Sequence, residues 1–257
     1  MKDPVVIIGM GEMAGVFARG FLRLGHPVYP VTRDMSLATA AAELPTPALV
    51  LVGVGEADLH PVLDDMPTLW QDRLGLLQNE LLPRDWHAHD LIEPTVISVW
   101  FEKKKGMDFK VLIPSPVRGP QAQLIANALG ALDIPTEVIE TDEEMAYELV
   151  RKNVYILTTN IAGLEAGCTV SELWQNHEQL ARDVAGDVMS IQAWLTHVDD
   201  VDREKLIQGM LVAFEGDPKH GCMGRSAPAR LARALELADK AGLDVPVLKR
   251  ISTDQQG

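Results

Sequence analysis

A short β-branched run, Val5-Val6-Ile7-Ile8, leads into Gly9-Met10-Gly11-Glu12-Met13-Ala14. The spacing is G-x-G-x-x-A, placed after an expected strand and at the start of an expected helix. Such a turn suits a pyrophosphate. Gly9 permits the tight turn, Gly11 lets the backbone approach the phosphates, and Ala14 keeps the helix close to the sheet. The helix start adds N–H groups and a partial positive charge. Met10, Glu12 and Met13 complete the expected cofactor-binding turn. A second expected strand, Val28-Tyr29-Pro30-Val31, follows at a fitting distance and ends in Thr32-Arg33-Asp34. An acid at that strand end would bond a ribose 2′-hydroxyl, as in an NAD site. Thr32 is small and neutral here, and Arg33 offers a planar fork to a 2′-phosphate. NADP is the expected cofactor, and Asp34, one residue late, keeps NAD as the alternative.

These groups need elements to position them. The first half alternates apolar runs with helical patterns. Strands are expected at residues 5–8, 28–31, 48–54, 74–77, 95–101 and 109–113, the last two joined by the charged turn Glu102-Lys103-Lys104-Lys105-Gly106. Helices are expected at 13–24, stopped by Gly25, and at 38–43, stopped by Pro45. Strands alternating with helices imply an α/β fold with a parallel, doubly wound sheet. After Pro114-Ser115-Pro116 and Gly119-Pro120 the pattern becomes largely helical, at 121–132, from 142 onward, at 169–196 and at 228–241. Thr141 and Glu144 form a capping box for the second of these. The expected organisation is a Rossmann-type dinucleotide-binding domain, 1–118, followed by an all-α substrate and dimerisation domain, 119–257.

Bulk properties narrow the partners. The net charge of −14 over 257 residues leaves no basic footprint for nucleic acid and disfavours anionic membranes. Two cysteines, Cys168 and Cys222, fit a reducing compartment better than a disulfide framework. No run approaches the ~20 apolar residues that a membrane span requires. A soluble cytoplasmic protein is expected.

Three stretches carry a resemblance. The first is the Gly9–Ala14 turn together with Gly25-His26-Pro27-Val28 and Arg33. The second is Leu77-Gln78-Asn79 at a strand end. The third is Glu148-Leu149-Val150-Arg151-Lys152 running on to Asn160. With this layout the chain resembles the ketopantoate reductase family, within the 6-phosphogluconate-dehydrogenase-like group of two-domain dehydrogenases, and the resemblance covers most of the chain. It implies that Lys152 is the general acid to a ketone oxygen, that Asn160 and Thr159 orient substrate, and that Asn79 positions the nicotinamide ribose or substrate. It also implies that Gly55 lies beside the cofactor and that the helical domain forms a homodimer. The chemistry is sound in itself, because hydride delivery to a carbonyl carbon leaves charge on oxygen that an ammonium can protonate. The chain departs from the family pattern in several places. Val54-Gly55-Glu56 replaces a strand-end lysine, Ile156 an asparagine, Glu80 the glycine of Q-N-G, and Gly224-Arg225-Ser226-Ala227-Pro228-Ala229-Arg230-Leu231 a carboxylate-bearing segment.

Other residues read more simply. His87-Ala88-His89-Asp90 offers two ligands where zinc needs three or four, so an acidic loop and no metal are expected. The loop from Lys219 to Arg225 places Arg225 as a candidate carboxylate clamp, although an ordinary interhelical loop is favoured. Cys168 and Cys222 have no adjacent base that would mark a nucleophile. Asp199-Asp200-Val201-Asp202 reads as helix-capping acids. The resulting expectation is an NADP-dependent reductase of a small carbonyl compound, 2-keto acid-like. The alternative is a non-catalytic or regulatory dinucleotide-binding protein that kept the fold.

Overall fold

The computed structural model describes residues 2–198 and 201–255. Asp199 and Asp200 of the expected capping acids therefore lie outside the described residues. Two compact units divide the chain, Met1–Leu149 and Val150–Gly257.

The first unit is built on a seven-stranded sheet among the described residues, in the order β2-β1-β3-β4-β5-β8-β9. Its strands are β1 (Val5–Ile8), β2 (Val28–Val31), β3 (Leu49–Val52), β4 (Leu74–Leu76), β5 (Thr95–Ile97), β8 (Ser115–Arg118) and β9 (Thr136–Val138). A hairpin of β6 (Phe101–Lys103) and β7 (Phe109–Val111) stands apart from it. The first five strands are mutually parallel. β1 and β3 are buried throughout, which is why they read as unbroken apolar runs rather than as alternation. The helices of this unit are α1 (Glu12–Arg23), α2 (Leu37–Glu43), α3 (Leu59–Asp64), α4 (Pro83–His87) and α5 (Ala122–Gly130). Phe17 and Phe21 of α1, Leu49 and Leu51 of β3 and Ile125 and Leu129 of α5 share one core cluster. The backbones of α1 and α5 meet at Gly20, where an added Cβ would lie 2.4 Å from the Ala128 carbonyl oxygen.

Two expectations change here. The run 95–101 does not form one strand. β5 ends at Ile97, and the chain then leaves the sheet as the Trp100 N–H donates to Ser115 Oγ and the Leu112 N–H to the Trp100 carbonyl. The Pro114-Ser115-Pro116 stretch is no break either. It forms β8, antiparallel to β5 and parallel to β9, so the sheet is mixed at this edge. Pro116 fits because its carbonyl still accepts from the Ser98 N–H. With β8, α5 and β9 built onto the sheet, Gly119 lies inside the first unit.

The second unit is helical. α6 (Asp142–Ala166), which starts in the first unit and continues into the second, begins at the capping box, with the Glu144 N–H on Thr141 Oγ1 and the Thr141 N–H on Glu144 Oε2. α7 (Val170–Thr196) opens with a second box at Thr169 and Glu172. α8 (Arg203–Gly216) is capped by Asp202, whose carboxylate accepts from the Lys205 N–H. α9 (Ala227–Ala241) stops at Gly242 with φ +66°. α10 (Pro246–Asp254) starts on the α7 residue Asp187, which accepts from the Val247 and Leu248 N–H groups and so supplies two of the partners a helix start lacks. Between α6 and α7, buried Asn153 donates to buried Gln192 at 3.0 Å.

Candidate active site

The glycine turn folds as its spacing predicts. Gly9 has φ +83°, and an added Cβ would sit 2.9 Å from Val54 Cγ1, so this position requires glycine for both conformation and space. Its N–H donates to the Val31 carbonyl, and the Gly53 N–H donates to the Ile8 carbonyl, which ties the turn to the ends of β2 and β3. Gly11 is the N-cap of α1 with ordinary extended backbone and no side-chain cap. A Cβ there would meet nothing within 4 Å. The protein therefore does not need glycine at 11 for its own packing, and the space is one that an approaching ligand would use. Ala14 is fully buried, with its Cβ 2.9 Å from where a Cβ on Gly53 would stand. Met10 is exposed at the tip, Glu12 opens the first turn of α1, and Met13 is partly buried beside the core. Glu12 pairs with Lys103 of β6 at 3.1 Å, which offsets negative charge at the end where an anion would bind.

At the end of β2, Thr32 closes a turn, its carbonyl accepting from the Met35 N–H. The Arg33 side chain is 90% exposed and lies 3.7 Å from Asp58, in the short 3₁₀ turn that follows Gly55. A surface pair of this kind is worth ~0–1 kcal/mol, so Arg33 can exchange it for a stronger anion. Across the sheet, the buried Gln78 side chain donates to the Val52 and Val54 carbonyls at 2.7 and 3.2 Å. Asn79 donates to Glu56 at 3.2 Å. These bonds lock the end of β4 to the end of β3 and fix where Asn79 sits. Glu80, standing where the resemblance expects glycine, has φ +61°. The chain keeps the left-handed turn after Asn79 without the residue that adopts it at no cost, a form of strain that clusters at functional sites.

In the second unit the site residues lie along α6. Lys152 is buried, and burial pushes its ammonium down from 10.5 to about 7, with the Arg230 charge adding to the effect. Asn160 lies two turns further along the helix. Its Oδ1 accepts from Arg230 Nη1 at 3.2 Å and from the Gly224 N–H at 3.4 Å, while its amide donates back to the Ile156 carbonyl at 2.9 Å. Asn160 thus anchors Arg230 and the start of the loop before α9. Thr159 is turned inward, bonded to the Tyr155 and Ile156 carbonyls, and serves its own helix. Among the described residues of this unit, the structure brings together Lys152, Asn160 and Arg230.

Arg230 was not singled out by sequence. The candidate there was Arg225, which is exposed. The available signal was register, because Arg230 falls on the second turn of α9 with its guanidinium only partly exposed, whereas Arg225 precedes the helix. Cys222 is a buried thiol pushed up to about 12 by burial and by its neighbour Cys168, which is unsuited to nucleophilic work.

No protein-family model matches the sequence, and no curated protein matches it. Solved structures do match its fold. The chain superposes on the 2-dehydropantoate 2-reductase of Methylococcus capsulatus with a TM-score of 0.67 and 16% identity, over 98% of this chain and 96% of that one. A dimeric ketopantoate reductase from Staphylococcus aureus gives 0.66 and 16%, over 98% and 97%. A D-mandelate dehydrogenase solved with NADH gives 0.68 and 14%, over 98% and 97%. A parallel-dominated sheet followed by a helical unit is the ketopantoate reductase fold, and this chain has it.

Proposed function

We propose that the protein is a nicotinamide-dinucleotide-dependent oxidoreductase that reduces a small 2-keto acid, with NADP(H) preferred. The observation that carries this reading is a buried Lys152 poised near neutrality in the same cluster as Arg230 and Asn160. A lysine with a value near the working pH is suited to give up a proton. Arg230 keeps its charge and offers a fork to a carboxylate. Two basic side chains in one cluster, Lys152 buried and Arg230 partly exposed, suit an anionic substrate such as a 2-keto acid.

The first unit fits the cofactor. Gly11 leaves the backbone of the turn open, and the N–H groups of Glu12, Met13 and Ala14 have no side-chain cap competing for them. Arg33 would take the 2′-phosphate, with Thr32 small enough to permit it, and Gly55 and Asn79 border the same strand ends. The bound dinucleotide would supply the hydride. Lys152 holds the proton that the carbonyl oxygen receives, Arg230 binds the substrate carboxylate, and Asn160 keeps Arg230 in place. Asn79, fixed by Glu56, positions the nicotinamide ribose or the substrate. The dimeric S. aureus structure supports reading the chain as a homodimer, and the mandelate enzyme's NADH keeps NAD as the second cofactor. The two free cysteines fit a reducing, cytoplasmic location.

The test begins with titration of NADPH and NADH by cofactor fluorescence. NADPH should bind more tightly, and Arg33→Ala should weaken it ~10–100-fold, the worth of a charge-assisted hydrogen bond, while leaving NADH little changed. A 2-keto acid panel should then give turnover that falls ~10²–10⁴-fold in Lys152→Met, the usual contribution of a general acid. Failure to bind either dinucleotide would sink the reading. Tight binding without turnover across the panel would instead mark a non-catalytic dinucleotide-binding protein.

A further inference from the structure

A pair of thiols in the second unit takes no part in the proposed chemistry. Cys168 follows α6 and Gly167, whose φ of +59° turns the chain towards α7. Cys222 lies in the loop between α8 and α9. They are 54 positions apart in the chain, yet a short antiparallel pairing brings the two segments together. Thr169 faces Gly221, the Val170 N–H donates to the His220 carbonyl at 2.9 Å, and the Cys222 N–H donates to the Cys168 carbonyl at 3.0 Å. In this register Cys168 and Cys222 stand directly opposite each other, at a hydrogen-bonded position where facing α-carbons are ~5.5 Å apart. Disulfides join residues whose α-carbons are ~4.4–6.8 Å apart. Opposite residues also send their side chains to the same face, and here the Cys222 thiol hydrogen-bonds to Cys168.

The surroundings give such a bond a consequence. Cys222 is 1% exposed and rests on α6, where a Cβ added to Gly163 would lie 2.9 Å from Cys222 Cβ and 3.0 Å from its carbonyl carbon. Two residues on, the Gly224 N–H reaches Asn160 Oδ1 at 3.4 Å, and α9, which carries Arg230, begins at Ala227. A covalent link at Cys222 would fix the start of this segment to the turn before α7.

We propose that Cys168 and Cys222 form a redox-active dithiol, oxidised by low-molecular-weight disulfides to an intramolecular disulfide that pins the loop before α9 to the turn before α7. The two thiols differ in reach. Cys168 is partly exposed and meets the oxidant first. Burial and Cys168 itself push the Cys222 thiol up to about 12, so Cys222 is unsuited to the first attack. The Cys168 thiolate attacks one sulfur of the oxidant and expels the other half as a thiolate. The Cys222 sulfur then attacks the Cys168 sulfur of the mixed disulfide, its proton passing to the second thiolate that leaves. Cys168 bears no charge at that stage, which removes one of the causes that hold the Cys222 proton. The protein gives up two protons and two electrons, and the oxidant ends as two thiols.

The test uses the full-length, folded protein incubated with oxidised glutathione. Wild type should lose two hydrogens by mass spectrometry, retain no glutathione and run as a single chain in a non-reducing gel. Its Tm should rise ~5–10 °C above that of the reduced protein, the effect of closing a long loop, and fall back on addition of dithiothreitol. Hydrogen exchange at the Gly224 amide should slow at least tenfold. Cys222→Ser should stop at one glutathione on Cys168, and Cys168→Ser should take up none. Two thiols still free in treated wild type would overturn the proposal, as would a disulfide between two chains, an oxidised form that melts no higher than the reduced one, or a Gly224 amide that exchanges equally in both. Wild type alone decides these outcomes, so the test survives a variant that fails to fold. None of them depends on dinucleotide binding or turnover.

Discussion

Replacing Lys152 by methionine keeps the length of the side chain and removes its charge, and the buried site makes the consequence for stability calculable. At ~1.36 kcal/mol per pH unit, the fall from 10.5 in the unfolded chain to about 7 in the folded one corresponds to a penalty of about 5 kcal/mol. Above pH 10.5 the lysine is neutral in both states and the penalty vanishes. Between about 7 and 10.5 the unfolded chain holds a proton at this position that the folded chain does not. Wild-type stability should therefore rise with pH across that window, by up to ~1.4 kcal/mol per unit. Below pH 7 both states are protonated and the penalty stays at its full value. Lys152→Met should thus be the more stable protein at pH 6, by ~2–5 kcal/mol since the figure above is a ceiling, with the advantage shrinking towards pH 10. Urea denaturation of both proteins at half-unit steps from pH 6 to 10 measures the difference directly. Parallel pH profiles, or a variant less stable at pH 6, would refute the argument that burial sets the lysine's behaviour.

Other expectations follow from single contacts. Gly9→Ala should lose ~2 kcal/mol in urea denaturation, because alanine resists the left-handed conformation and its Cβ would press on Val54. Gly11→Ala should change stability by less than ~0.5 kcal/mol yet weaken dinucleotide binding at least ~tenfold; equal dinucleotide affinity would show that the turn holds no pyrophosphate. Gly20→Ala should cost ~3 kcal/mol, the upper end of overpacking, since both atoms nearest the new methyl belong to the α5 backbone. Asn153→Ala should cost ~1–3 kcal/mol by leaving Gln192 Oε1 buried without a donor. The paired change to leucine at both positions should recover much of that, as thermal unfolding of the three proteins would reveal.

Local conformation is what the sequence determined. The β-branched run before Gly9, the glycine at 25, the Thr141–Glu144 and Thr169–Glu172 boxes and the stop at Gly242 each act through neighbours a few residues away, and each took the conformation its residues favour. That Lys152 and Asn160 lie two turns apart on one helix was also legible, because eight residues on a helix fix their relation before any packing occurs. What lay beyond reach was decided by contacts between distant segments. Ser115-Pro116 became a strand because β5 and β9 were there to receive it, which its prolines alone argue against. Arg230 joined Asn160 across 70 residues of chain. His89 found its hydrogen-bond partner in His60, 29 residues earlier. The value near 7 at Lys152 is also tertiary in origin. A lysine on a half-apolar helix sends its head to water unless packing closes over it, and only the folded chain supplies that burial and the neighbouring guanidinium.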